Sequence, residues 1–99
     1  MKFKRKKGTR RSENSEVTPL GHTMLEVVEN QIRENEPKEV AETLARLVKL
    51  GFTRERAMHQ IASVLIVETF KVMQGQEEFD EARYIYLLKQ LPELPEELK

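Results

Sequence analysis

Cysteine does not occur in this 99-residue chain. Its absence excludes disulfides, thiolate metal sites and cysteine nucleophiles in one step. Glycine is scarce and scattered, at positions 8, 21, 51 and 75, so no glycine-rich loop exists to cradle a phosphate. Long apolar runs are missing as well. The longest uncharged apolar-rich stretch, Met58 to Val67, contains Gln60 and Ser63 and is too short to cross a bilayer. The basic N-terminus is not followed by the apolar segment of a secretory signal, and a soluble, cytoplasmic protein is expected. Outside the first 17 residues the only serine is Ser63, which falls mid-helix with no acceptor pattern around it. No pair of carboxylates is framed as acid and base, and a domain this small leaves little room for a deep pocket. No catalytic residue is assigned, and a binding role is favoured over an enzymatic one.

What the chain has in quantity is charge. Hydrophobic residues make up 38% and charged residues 34%, which is polar for a globular fold but within its range. The formal net charge of zero hides a segregation. Seven of the 17 basic residues, Lys2, Lys4, Arg5, Lys6, Lys7, Arg10 and Arg11, precede any acid. The other ten face all 17 acidic residues, so residues 12–99 carry a formal charge of −7. A basic arm on an acidic body suits contact with nucleic acid or an anionic membrane surface. The plainer and favoured reading is a tail that keeps the chain soluble or folds back loosely on the acidic body. Phe3 is the arm's one aromatic, which argues against the base stacking that single-strand binders use. Residues 1–17 show no periodicity and are read as a disordered arm, with a single helical domain over 18–99. A core of that size supports only a small stability margin or an oligomer.

The domain reads as an all-α, compact bundle of about four helices. Thr18-Pro19 supplies a cap and a first helical proline for a helix over 19–34, with Leu25, Val28 and Ile32 on one stripe and Met24 at its border. Asn35-Glu36-Pro37 interrupts, and Pro37 opens a second helix over 37–50 carrying Val40, Leu44, Leu47 and Val48. Gly51 is placed to close it in the left-handed conformation, with Phe52 folding back onto the last turn. Thr53 caps a third helix over 54–74 that is apolar most of the way round. Ala57, Ile61, Val64, Leu65 and Val72 cover one side, and Ala62, Ile66, Phe70 and Met73 cover the other. Such a helix is central in its bundle or is covered by a second subunit. Asp80 caps a fourth helix over 81–91, with Phe79 placed to pack on Tyr84 and a stripe of Tyr84, Leu87, Leu88 and Leu91. The acidic tail beyond Pro92 is placed to pack through Leu94. The third helix is too apolar to read a DNA groove, so the Gly51 turn is an ordinary helix corner rather than a DNA-binding one.

Two histidines focus the search for a site. His22 and Glu26 stand at i, i+4 on the first helix, followed by Glu29 and Arg33, which read as a solvated edge. Glu55 and His59 repeat the spacing on the third. Together these four could offer nitrogen and oxygen ligands to zinc, manganese or iron, although the Glu-x-x-His spacing of di-metal bundles is absent. The plainer reading of His59 is a half-buried side chain bonded to a carbonyl or carboxylate. Glu68 lies about half a turn round the helix from His59, so the two cannot act as a pair within one chain. Flanked by apolar residues, its carboxylate requires a partner. Arg46, Arg83, Tyr84 and Tyr86 are the candidates.

Two stretches, G-F-T-R-E-R-A-M-H-Q-I-A-S-V-L from Gly51 and F-D-E-A-R-Y-I-Y-L-L-K-Q-L-P from Phe79, resemble a group of small all-helical bacterial and archaeal proteins of unknown function. In that group an Ala-x-His-x-Ile helix is followed by Phe-Asp, a tyrosine and a closing Leu-Pro. The first half, H-T-M-L-E-V-V-E-N-Q-I from His22 and N-E-P-K-E-V from Asn35, fits it too. The likeness spans about residues 20–92 and leaves out the arm. The group often has a second histidine one turn after the first. Glu26 stands at that position here, a possible ligand of another type. The resemblance implies a self-contained helical domain and draws attention to His22, Glu26 and His59. It implies no activity. The expectation is therefore a non-enzymatic interaction or regulatory module with no resident cofactor, meeting a protein partner or a second copy through the third or fourth helix. The alternatives are a nucleic-acid-associated protein using residues 1–11 for phosphate contacts, and a divalent-metal-binding domain.

Overall fold

In a computed structural model that describes residues 19–75 and 78–98, the chain forms four α-helices and a closing 3-10 turn, Glu96–Leu98. The helices are α1 (Pro19–Glu34), α2 (Lys38–Lys49), α3 (Arg54–Met73) and α4 (Glu81–Gln90). Among the described residues there is no strand, and no helix is long and apolar enough to cross a membrane. The expected arm over 1–17, the Thr18 cap and the basic residues from Lys2 to Arg11 lie outside the described residues.

Local chemistry sets the helix ends. Gly51 has a φ of 113°. Its N–H bonds the Val48 carbonyl at 3.0 Å while the Phe52 N–H reaches the Leu47 carbonyl at 3.1 Å. That crossed pair satisfies two carbonyls of the last α2 turn. Asn35, with a φ of 56°, closes α1 the same way, through Ile32 and Gln31. Asparagine tolerates this left-handed backbone better than other side-chain-bearing residues. Thr53 accepts the Arg56 N–H at 3.1 Å and Asp80 accepts the Arg83 N–H at 3.0 Å, so α3 and α4 start on side-chain caps. The Phe79 ring meets Tyr84 edge-on with centroids 5.6 Å apart. Four boundaries differ from expectation by one residue, since α2 runs from Lys38 to Lys49, α3 ends at Met73 and α4 at Gln90. Pro37 stands before α2 rather than within it, because its ψ of 148° is extended.

The core is built around α3, which touches all three other helices. Val28, Val40, Leu47, Ala57, Ile61, Val64, Tyr84 and Leu88 are fully shielded from solvent, and burying a large apolar side chain is worth about 1.5–3 kcal/mol. The expected stripes shift in three places. Met24 rather than Leu25 takes the deep α1 position, with Leu25 and Ile32 only partly buried. On α2, Thr43 is buried while Val48 is exposed. In the tail, Pro95 is buried and Leu94 is exposed. On α3 Ala57, Ile61, Val64 and Leu65 of the first stripe are buried as the spacing requires and Val72 only partly so, but only Ala62 of the second stripe is buried. Ile66 is partly covered. Phe70 and Met73 are left in water, 51% and 69% exposed.

Candidate functional site

The contacts between α1 and α3 fix how the two helices run. Arg54 reaches Glu29, and Thr69 Oγ1 lies 4.0 Å from Met24 Sδ. Moving down α1 therefore means moving up α3, so the pair is antiparallel and crosses. The crossing opens a groove of about 460 Å³ at the first turns of α3, lined by Leu25, Glu29, Arg54, Glu55, Met58 and His59. Leu25 and Met58 give it an apolar floor under a charged rim.

That rim is held by one ion pair. Arg54 grips Glu29 with both terminal nitrogens, Nη1 to Oε2 at 3.1 Å and Nη2 to Oε1 at 3.2 Å. These hydrogen bonds hold the Glu29 carboxyl below the usual carboxylate range, against the opposing effect of burial and with help from the charges of Arg54 and Arg33. The same bonds raise the Arg54 guanidinium. A lowered carboxylate adds stability above its unfolded pKa and loses it as pH falls through its folded value. Both side chains are about half exposed, so the gain is small and screened by salt.

The expected metal ligands are arranged as two pairs. His22 Nε2 lies 3.4 Å from Glu26 Oε2, with both side chains about two-thirds exposed. Glu55 and His59 line the groove instead. Among the described residues no three His, Asp or Glu side chains stand close enough together to hold a metal ion. His59 is exposed rather than half-buried. The Arg54–Glu29 clasp had no local signal in the sequence, since its members are 25 positions apart.

Glu68 and its neighbours form the second polar cluster. The Glu68 side chain is 2% exposed, and the Arg83 Nε donates to its Oε2 at 2.6 Å. Of the four candidate partners, then, Arg83 binds it directly. Arg46 serves elsewhere, donating to the Leu91 and Leu88 carbonyls at 2.6 and 2.9 Å and closing the end of α4. The buried Tyr84 hydroxyl donates to Gln31 Oε1 at 2.9 Å and ties α4 to α1. Each of these bonds joins one helix to another and is occupied by that task.

A different surface lies on the outer side of α3. Ile66, Val67, Phe70, Lys71 and Gln74 meet Leu98 of the closing turn around an apolar groove of about 290 Å³. None of the protein-family models, curated proteins or solved structures compared with this chain matches it.

Proposed function

We propose that this chain is a non-enzymatic interaction module of the cytoplasm that works through the outer face of α3. The observation that carries this reading is the exposure of Phe70 and Met73 beside a groove whose walls are apolar. Contiguous exposed apolar surface with a polar rim marks a place of contact with another molecule. Three polar side chains are engaged in holding helices together, while among the described residues His22, Glu26, Glu55 and His59 form no group of three ligands. Glu68 is gripped by Arg83, Tyr84 by Gln31 and Glu29 by Arg54.

Replacing both Phe70 and Met73 by serine separates the contact role from a folding role. Substitutions at exposed positions stay within about 0.5 kcal/mol, so the variant keeps the parent's helical circular dichroism and melts within a few degrees of it. Its binding of a hydrophobic fluorescent dye in the native state falls. Loss of the fold would mean that the two side chains serve the core. Dye binding equal to the parent's would mean that this face is not the accessible apolar surface. Either result ends the reading.

A further inference from the structure

The interaction reading above leaves open what covers the outer face of α3, and the two ends of the α1–α3 contact bear on it. Met24 touches Thr69, and the helices are antiparallel there. One turn back from Met24 is Leu20, and one turn on from Thr69 is Met73. The first turn of α1 and the last turn of α3 therefore share one end of the bundle. Leu20, 43% exposed, joins Phe70 and Met73 at that end, and Leu98 borders the groove from the other flank.

We infer that a second copy of this chain docks on this patch, α3 against α3 about a two-fold axis near Phe70. This inference rests on the interaction reading. In a two-fold pair the same patch faces itself, and apolar side chains are complementary to their own kind without any further matching. Charge decides between a second copy and an unrelated protein. Residues 12–99 carry a formal −7, so two such bodies alone repel. Residues 2–11 carry seven positive charges and no acid. They are tethered at Pro19, the start of α1, at the patch end of the bundle. Eighteen residues can span up to about 60 Å, against a longest dimension of 46 Å for the domain, so the tether does not restrict them to their own body. A second copy brings its own compensating charge, which a foreign partner would have to supply from outside.

Sedimentation equilibrium of the full chain over a wide concentration range tests this. The expected result is a reversible rise from the 11.6 kDa monomer toward twice that mass. Phe70→Asp with Met73→Asp should weaken the association at least about tenfold, since central apolar anchors dominate such contacts. If aspartate disturbs folding, the serine pair takes its place. Lys4→Gln, Arg5→Gln, Lys6→Gln and Lys7→Gln together, in the full chain, should weaken association at low salt and blunt its dependence on salt. A parent that stays monomeric at every concentration overturns the inference, as does a face variant that associates like the parent. Association unchanged by the four glutamines overturns the role given to the basic residues, and the second copy then stands or falls on the face variant alone. A monomeric parent whose dye binding still depends on Phe70 and Met73 keeps the interaction reading and loses only the second copy. If neither responds, both fall.

Discussion

Tyr84→Ala is expected to remove most of the stability of this domain. The side chain is completely shielded from solvent, packs edge-on against Phe79 and ties α4 to α1 through Gln31. Emptying a large aromatic site costs about 3–5 kcal/mol, against a typical net stability of roughly 5–15 kcal/mol. A domain this small belongs near the lower end, so the alanine variant should be substantially unfolded at room temperature in mild urea. Tyr84→Phe keeps the ring and loses only the hydroxyl. Gln31 is half-buried and can turn to water, so the cost is about 1 kcal/mol. The phenylalanine variant also isolates a pH effect. Burial raises the Tyr84 phenol well above its ordinary value of 10.0. The native state thus keeps its proton where the unfolded chain releases it. This contribution is complete below about pH 10 and is lost as pH climbs from there toward the native value. Urea midpoints measured on either side of about pH 10 should fall more steeply for the parent than for Tyr84→Phe. Parallel slopes would show that Tyr84 is not the group responsible.

The second large effect is expected from Arg83→Ala. It removes the guanidinium 2.6 Å from a carboxylate that is itself 2% exposed. Breaking a fully buried ion pair by deleting one member costs 3–5 kcal/mol, but the Arg83 side chain is 39% exposed. Solvent screening reduces the expectation to roughly 2 kcal/mol. Removing both charges tells the two contributions apart. Glu68→Leu combined with Arg83→Met leaves no buried charge to compensate and fills similar volume, so the double variant should be more stable than Arg83→Ala alone. A urea double-mutant cycle reads this directly. If the double variant were the least stable of the set, the pair would be a net source of stability rather than a buried charge held in check.

The sequence was most informative where chemistry is local. Thr53 and Asp80 accept from the third helical N–H, Gly51 turns left-handed, and Phe79 packs on Tyr84, each as its spacing requires. Glu68 was legible for a different reason. A carboxylate set among apolar neighbours demands a partner, and few were available, although choosing Arg83 over Arg46 needed the fold. What failed to show was whatever depends on the angle between helices. A rotation of α1 by one residue decides whether Met24 or Leu25 faces the core, and the periodicity tolerates either. The i, i+4 spacing of His22 with Glu26, and of Glu55 with His59, describes neighbours on one helix. Whether two such pairs converge is set by the crossing of α1 and α3. That crossing brings Arg54 to Glu29 instead. The apolar character of α3 on both sides was legible too. Which side would remain in water was not, because that depends on how far α1 and the closing turn reach around it.

The claim that a second copy docks on the outer face of α3 is tested most directly by the methionines. The chain has four. Met24 and Met58 are buried in the core, and Met73 is 69% exposed at the patch. With methyl-labelled methionine, a dilution series of the full chain followed by NMR should move the Met73 signal continuously while those of Met24 and Met58 stay fixed. A Met73 methyl that ignores concentration, or core methyls that move together with it, would contradict the account.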